Sequence, residues 1–167
     1  MVTKTSKGKA VVSLPSDTQI LITREFDAPA NLVWKAWTTS ELVMRWWHAN
    51  RGTMQRADID LRVGGKWRWV MIANKGFEVG FHGEYREIVP DKKLVYTEVF
   101  EGIPVGPEGE QAAINTITLT PKGDRTIVTN LVECGSKEVR DMIINSGMEA
   151  GMQDALDLLE QVAIGLE

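Results

Sequence analysis

Residues 66–101 read KWRWVMIANKGFEVGFHGEYREIVPDKKLVYTEVFE, and this stretch holds three strand-like runs. Lys66 to Ala73, Phe77 to Val89 and Lys93 to Glu101 are rich in β-branched and aromatic residues. The connectors Asn74-Lys-Gly76 and Pro90-Asp91 are short and built from turn formers. Connectors this short join antiparallel neighbours, because a parallel crossover needs a dozen residues or more. The pattern continues on both sides. Thr53 to Val63 precedes it across Gly64-Gly65. Ala112 to Pro121 and Arg125 to Cys134 follow, linked by Lys122-Gly-Asp124, after a longer Gly/Pro-rich loop from Gly102 to Gln111. The expectation is an antiparallel meander.

Helices flank the meander. Thr18 to Phe26 reads as a strand stopped by Asp27-Ala-Pro29, and a helix is expected from Pro29 to Trp37, with Val33, Trp34 and Trp37 at spacings of three and four. A second short helix starts at Thr39 or Ser40 and runs to about Trp46. At the other end, Ser136 to Ala163 is helical, but its apolar stripe changes face. Val139, Met142 and Ile143 share one side, whereas Met148, Met152, Ala155, Leu159 and Val162 share another. The break falls at Gly147. Ser146 with Glu149 three residues later has the form of a capping box, so a long final helix is expected to start near Gly147 with Ser146 as its cap. Residues 1–16 are read as a flexible leader with at most a docked strand around Val11 to Leu14, and 17–167 as one domain.

The chain has 167 residues, of which 43% are hydrophobic, enough for one sizeable core. A net charge of -4 without a lysine or arginine cluster excludes a phosphate-backbone footprint, so no nucleic-acid partner is expected. The single cysteine, Cys134, has no internal disulfide partner, and Met1 to Pro15 lacks the apolar run of a signal peptide or a membrane span. A reducing, cytoplasmic location is the expectation. His48 and His82 stand in no zinc-binding spacing, so neither metal nor cofactor is expected. Val63-Gly-Gly-Lys66 lacks the first glycine of a phosphate loop and has Trp67 where a magnesium-binding hydroxyl belongs. No nucleophile elbow occurs either, and no catalytic residue is assigned.

What distinguishes the composition is its six tryptophans, Trp34, Trp37, Trp46, Trp47, Trp67 and Trp69, and the methionines Met142, Met148 and Met152 near the end. Large amphipathic rings and pliable thioethers suit an apolar cavity that accepts variable shapes. Trp47-His48 leaves a short helix and enters a loop, a position that suits a pocket mouth.

The series Ile22-Thr-Arg-Glu-Phe-Asp-Ala-Pro29, Val33-Trp34, Trp46, Asp60-Leu-Arg-Val-Gly-Gly65, Gly83-Glu-Tyr-Arg-Glu-Ile-Val-Pro90 and Leu94-Val-Tyr-Thr97 resembles the activator of heat-shock-protein-90 ATPase homologue branch of the START-like (SRPBCC) superfamily. The resemblance spans about Thr18 to Val162. It implies an α+β helix-grip fold of the Bet v type, a curved antiparallel sheet wrapped around the long C-terminal helix with a cavity between them. Such a fold implies binding of a small hydrophobic or amphipathic molecule, for which Trp47, His48, Trp69, Met71, Tyr96, Met148 and Met152 are the candidate lining residues. A one-residue slip of register would bring Arg68, Val70 and Ile72 to the cavity instead. Rival readings are a cyclase or hydrolase with His48 or Glu98 as base, and a protein-interaction module for a chaperone or a self-dimer. The co-chaperone relatives pair this domain with a separate N-terminal domain for which this chain has no room, which argues against a chaperone partner.

Overall fold

The structure is a computed structural model that describes residues 9–101 and 113–166. Its elements run β1 (Val11–Ser16), β2 (Gln19–Phe26), α1 (Ala30–Thr38), α2 (Ser40–Val43), β3 (Gly52–Ile59), β4 (Lys66–Ala73), β5 (Glu78–Val89), β6 (Lys93–Phe100), β7 (Ala113–Lys122), β8 (Arg125–Glu133), α3 (Lys137–Asn145) and α4 (Met148–Ile164). The strands form one eight-stranded sheet ordered β1-β2-β8-β7-β6-β5-β4-β3. Every pairing is antiparallel. The curved sheet and the C-terminal helix make the α+β helix grip expected from sequence.

Alternation decides which residues face the helices. On β2, Ile20, Ile22, Arg24 and Phe26 are buried together, and register carries their face across the sheet. Arg24 opposes Val128, Leu119 opposes Val128 from the other side, and Leu94 opposes Ile117. On β4 the same inner face holds Trp67 and Trp69, which oppose Gly83 and Phe81. Helix α4 closes this face with Leu156, Leu159, Val162 and Ala163 buried beneath it. Arg24 pairs with Asp157 at 2.6 Å and Glu160 at 3.0 Å, and Gln153 bonds both backbone groups of Ala10. No described helix is long and apolar enough to cross a membrane.

Several boundaries differ from expectation. β3 ends at Ile59 rather than Val63, because the chain turns back on itself there: Arg62 N–H donates to Asp60 O and Gly65 N–H to Arg62 O. α2 stops at Val43, and the chain goes on in tighter turns, Trp46 N–H donating to Val43 O. Val11–Ser16 forms an edge strand on β2. The rest of the leader up to residue 8, and the loop expected from Gly102 to Gln111, lie outside the described residues.

The capping box at Ser146 is not formed. An N-cap residue needs extended backbone so that its side chain can reach back over the first turn, but Ser146 has φ -77° and ψ -5° and continues α3. Its hydroxyl donates to Ile143 O instead, at 2.6 Å. Gly147 then takes φ +83°, a left-handed turn that ends one helix and starts the next. The genuine cap belongs to α3, where Ser136 Oγ accepts from Val139 N–H at 3.1 Å. The break itself falls where the apolar stripe changes face.

Two substitutions test this junction. Gly147→Ala meets no atom within 4 Å, so its whole effect is backbone strain, about 1–2 kcal/mol of lost stability. Ser136→Ala loses about 1 kcal/mol with the cap. Urea denaturation midpoints of both variants should fall. An unchanged midpoint for Gly147→Ala would mean that the left-handed break does not form.

Candidate functional site

The site begins with the alternation of β4. Period two places Trp67, Trp69 and Met71 on the inner face, so the slipped register with Arg68, Val70 and Ile72 inward is not the one adopted. Gly83 sits opposite Trp67, and a Cβ there would lie 1.8 Å from Thr97 O and 2.7 Å from Trp67 Nε1. Only glycine lets the indole approach closely enough to donate to Thr97 O, at 3.1 Å.

From there a chain of edge-on ring contacts spreads. Trp67 meets Trp69 at 5.1 Å and Tyr96 at 5.4 Å between centroids. Trp69 meets Trp46 at 5.8 Å and Trp47 at 5.9 Å, and Trp47 meets Phe81 at 5.7 Å. Helix α1 reaches the cluster through Trp37, 5.6 Å from Trp46.

A cavity of about 10 Å³ lies inside this cluster, walled by Trp37 of α1, Trp67 and Trp69 of β4, Tyr85 of β5, and Leu94, Tyr96 and Glu98 of β6. That is room for about one water molecule. Its polar groups are unevenly satisfied. Trp67 donates to Thr97 O, and the neighbouring Trp46 donates to Ala36 O at 2.9 Å. Trp69, 7% exposed, has a buried Nε1–H with no partner among the described residues.

Glu98 is the ionisable acid of the wall. Burial pushes its carboxyl up from 4.5 to about 7, opposed by the hydrogen bond that Asn115 Nδ2 donates to Oε1 at 3.3 Å. Burial also holds the Tyr85 and Tyr96 phenols well above their ordinary range. Both phenols therefore stay neutral, and Glu98 titrates near neutrality.

Of the residues singled out from sequence, Trp69 and Tyr96 stand in the cavity wall. Trp47 is half-buried and lies over Trp69 and Phe81 from outside. Met71 shares the inner face of β4 beyond Trp69, and Met148 and Met152 pack half-buried on the core from α4. These three are not part of the wall. Nor is His48, whose Nδ1 accepts from Asn50 N–H at 2.9 Å within its own loop. His82 lies on the outer face, 2.7 Å from Glu101 Oε2, with Arg68 beside it. No group of three or more metal-ligating side chains exists among the described residues.

Sequence reading missed Trp37, Trp67, Tyr85 and Leu94 as lining. Two of these had a signal, since Trp67 and Leu94 lie two residues from Trp69 and Tyr96 on the same strand face. Tyr85 had none. It reaches Tyr96 through a register that shifts between Tyr85 and Glu87.

The family model described as activator of Hsp90 ATPase homolog 1-like protein matches residues 27–163. Solved structures share the fold. A Rhodobacter sphaeroides protein is 22% identical, with a TM-score of 0.83 over 94% of this chain and 99% of that one. A Nitrosomonas europaea protein is 24% identical, with a TM-score of 0.79 over 93% and 99%. A protein from Aeromonas hydrophila, itself described as AHSA1-like, is 21% identical, with a TM-score of 0.65 over 88% and 95%. No curated protein matched in sequence.

The raised Glu98 carboxyl has a signed consequence for stability. The folded state holds this proton more tightly than the unfolded chain, so the contribution of Glu98 is fully present below about pH 4.5 and declines as pH rises to about 7. Glu98→Gln removes that decline. Relative to the parent, the variant should gain on the order of 1–2 kcal/mol between about pH 5 and about pH 8 in urea melts. A constant difference across that range would show that Glu98 titrates normally.

Proposed function

The chain belongs to the activator of Hsp90 ATPase homolog 1-like family, and from that footing we propose that it binds a small hydrophobic or amphipathic molecule in the aromatic-walled cavity of its concave face. The observation that carries this reading is the unpartnered Trp69 Nε1–H. A buried donor left without an acceptor costs about 1–3 kcal/mol, and packing alone is better served by a phenylalanine there. A ligand oxygen or nitrogen would satisfy it, while the rings around it supply the apolar surface that holds such a molecule.

The cavity as formed is too small for an organic guest, so binding requires ring displacement. Trp47 is the natural door: it is half-buried, covers Trp69 and Phe81, and heads the loop to Arg51. That loop holds Ala49 at φ +53° and Asn50 at φ +59°, and Arg51 ties it to Asp154 of α4 at 2.9 Å. Left-handed backbone at a non-glycine residue is strained, so the closed loop is a state that a ligand can displace.

One observation favours a second reading. A carboxyl titrating at about 7 inside a cavity has the protonation behaviour of a general acid or base, and a cyclase- or hydrolase-type reaction in this cavity would use Glu98 in that role. Its mark would be turnover that Glu98→Gln abolishes without loss of binding.

Native mass spectrometry of freshly purified protein tests binding directly. The expected result is a retained small molecule, or saturable binding of an apolar dye, that Trp69→Phe weakens about tenfold while the fold persists. A parent protein that carries no molecule and takes up no dye would defeat the reading.

A further inference from the structure

Resting on that reading of the cavity, we propose that its ligand is a small organic cation, an alkylated ammonium that also carries a hydrogen-bond acceptor. The wall combines five aromatic rings, Trp37, Trp67, Trp69, Tyr85 and Tyr96, with one carboxyl group, Glu98. Ring faces carry negative electrostatic potential and attract cations most strongly where water is excluded. An alkylated ammonium is weakly hydrated and apolar at its surface, so it exchanges water for ring faces at little loss.

Glu98 supplies the second half of the argument. Its described hydrogen bond comes from the neutral Asn115 amide, and it makes no ion pair among the described residues. Arg24, the buried cation of the inner face, is engaged by Asp157 and Glu160. Two other carboxylates that are partly withdrawn from water meet cations, Glu25 with Arg125 and Lys122, and Glu101 with Arg68. Glu98 instead faces neutral rings; its charge is felt by Tyr96 and Cys134, and Cys134 is reached in turn by Glu133 and Arg140, none of which bonds the Glu98 carboxyl. A carboxylate held in low dielectric without a counter-charge is a place for one.

The acceptor follows from Trp69. Its Nε1–H cannot bond a cation, so the same ligand must present an oxygen or a basic nitrogen there. Ammonium at Glu98 and acceptor at Trp69 together satisfy both groups of the wall that the fold leaves unmet.

A shape-matched probe pair separates charge from size. meta-Hydroxyphenyltrimethylammonium and meta-tert-butylphenol differ in replacing the ammonium nitrogen by carbon, so the work of opening the cavity is common to both. Calorimetric titration of the intact protein should show the cation bound about tenfold tighter or better. Glu98→Gln should bring the two within about twofold, and Trp69→Phe should weaken both alike. Near-ultraviolet circular dichroism checks that each variant retains its aromatic packing, and the parent comparison decides the matter even if a variant fails to fold. Equal or tighter binding of the phenol overturns the cation inference while leaving a binding cavity in place. Binding of neither probe overturns the cavity reading and the inference with it.

Discussion

Arg24 is the constraint around which the fold is arranged. It lies on the inner face of β2 at 1% exposure, between Ile22 and Phe26, with its guanidinium 4.9 Å above the Phe26 ring. A charge so deeply placed costs several kcal/mol unless it is matched, and the match comes entirely from α4, through Asp157 and Glu160. Glu160 also accepts from Asp27 N–H at 2.8 Å, where β2 hands over to α1. One ion triad therefore fixes the helix against the sheet and the start of α1 against the helix.

That placement explains where the cavity is. With α4 committed to the β2 side through Arg24 and to Ala10 through Gln153, the inner face of β4, β5 and β6 is left for α1 and the aromatic rings to fill. Large rings set edge to face fill space efficiently but meet at fixed angles. The residue of that misfit is a void the size of a water, and an indole N–H that finds no partner among the described residues. Polar groups are treated oppositely on the two faces of the sheet. Outside, Arg68, His82 and Glu101 form a half-exposed polar cluster that solvent screens, so it adds little to stability. Inside, Glu98 meets no cation among the described residues, and burial pushes its carboxyl up to about 7.

Much of this was legible in the residues. Period-two alternation in residues 66–101 is a local property, and short Gly- and Pro-bearing connectors leave antiparallel pairing as the available geometry, so the meander could be read without any structure. The break near Gly147 was legible for the same reason, because an apolar stripe that changes face requires a change of helix axis. The capping of that break was not. Ser146 and Glu149 have the spacing of a capping box, yet whether Ser146 is the end of α3 or the start of α4 depends on where α3 docks, and Arg140 Nη1 sets that by donating to Ser16 O at 2.6 Å.

The sequence by itself determined the strands and their order along the chain, since these follow from alternation and turn chemistry, while the inward side of β4 stayed open to a one-residue slip until the burial of Trp67 and Trp69 decided it. The sequence also marked Trp69 and Tyr96 as cavity residues through their size and amphipathic character. Only the tertiary structure decided that Tyr85 and Trp37 join them, because Tyr85 depends on a register shift in β5 and Trp37 on the angle at which α1 crosses the sheet. It likewise decided that, among the described residues, Glu98 meets Asn115 but no cation and Trp69 Nε1–H meets no acceptor. Hydrogen bonds and desolvation are set by neighbours distant in sequence, and no local pattern of residues records them.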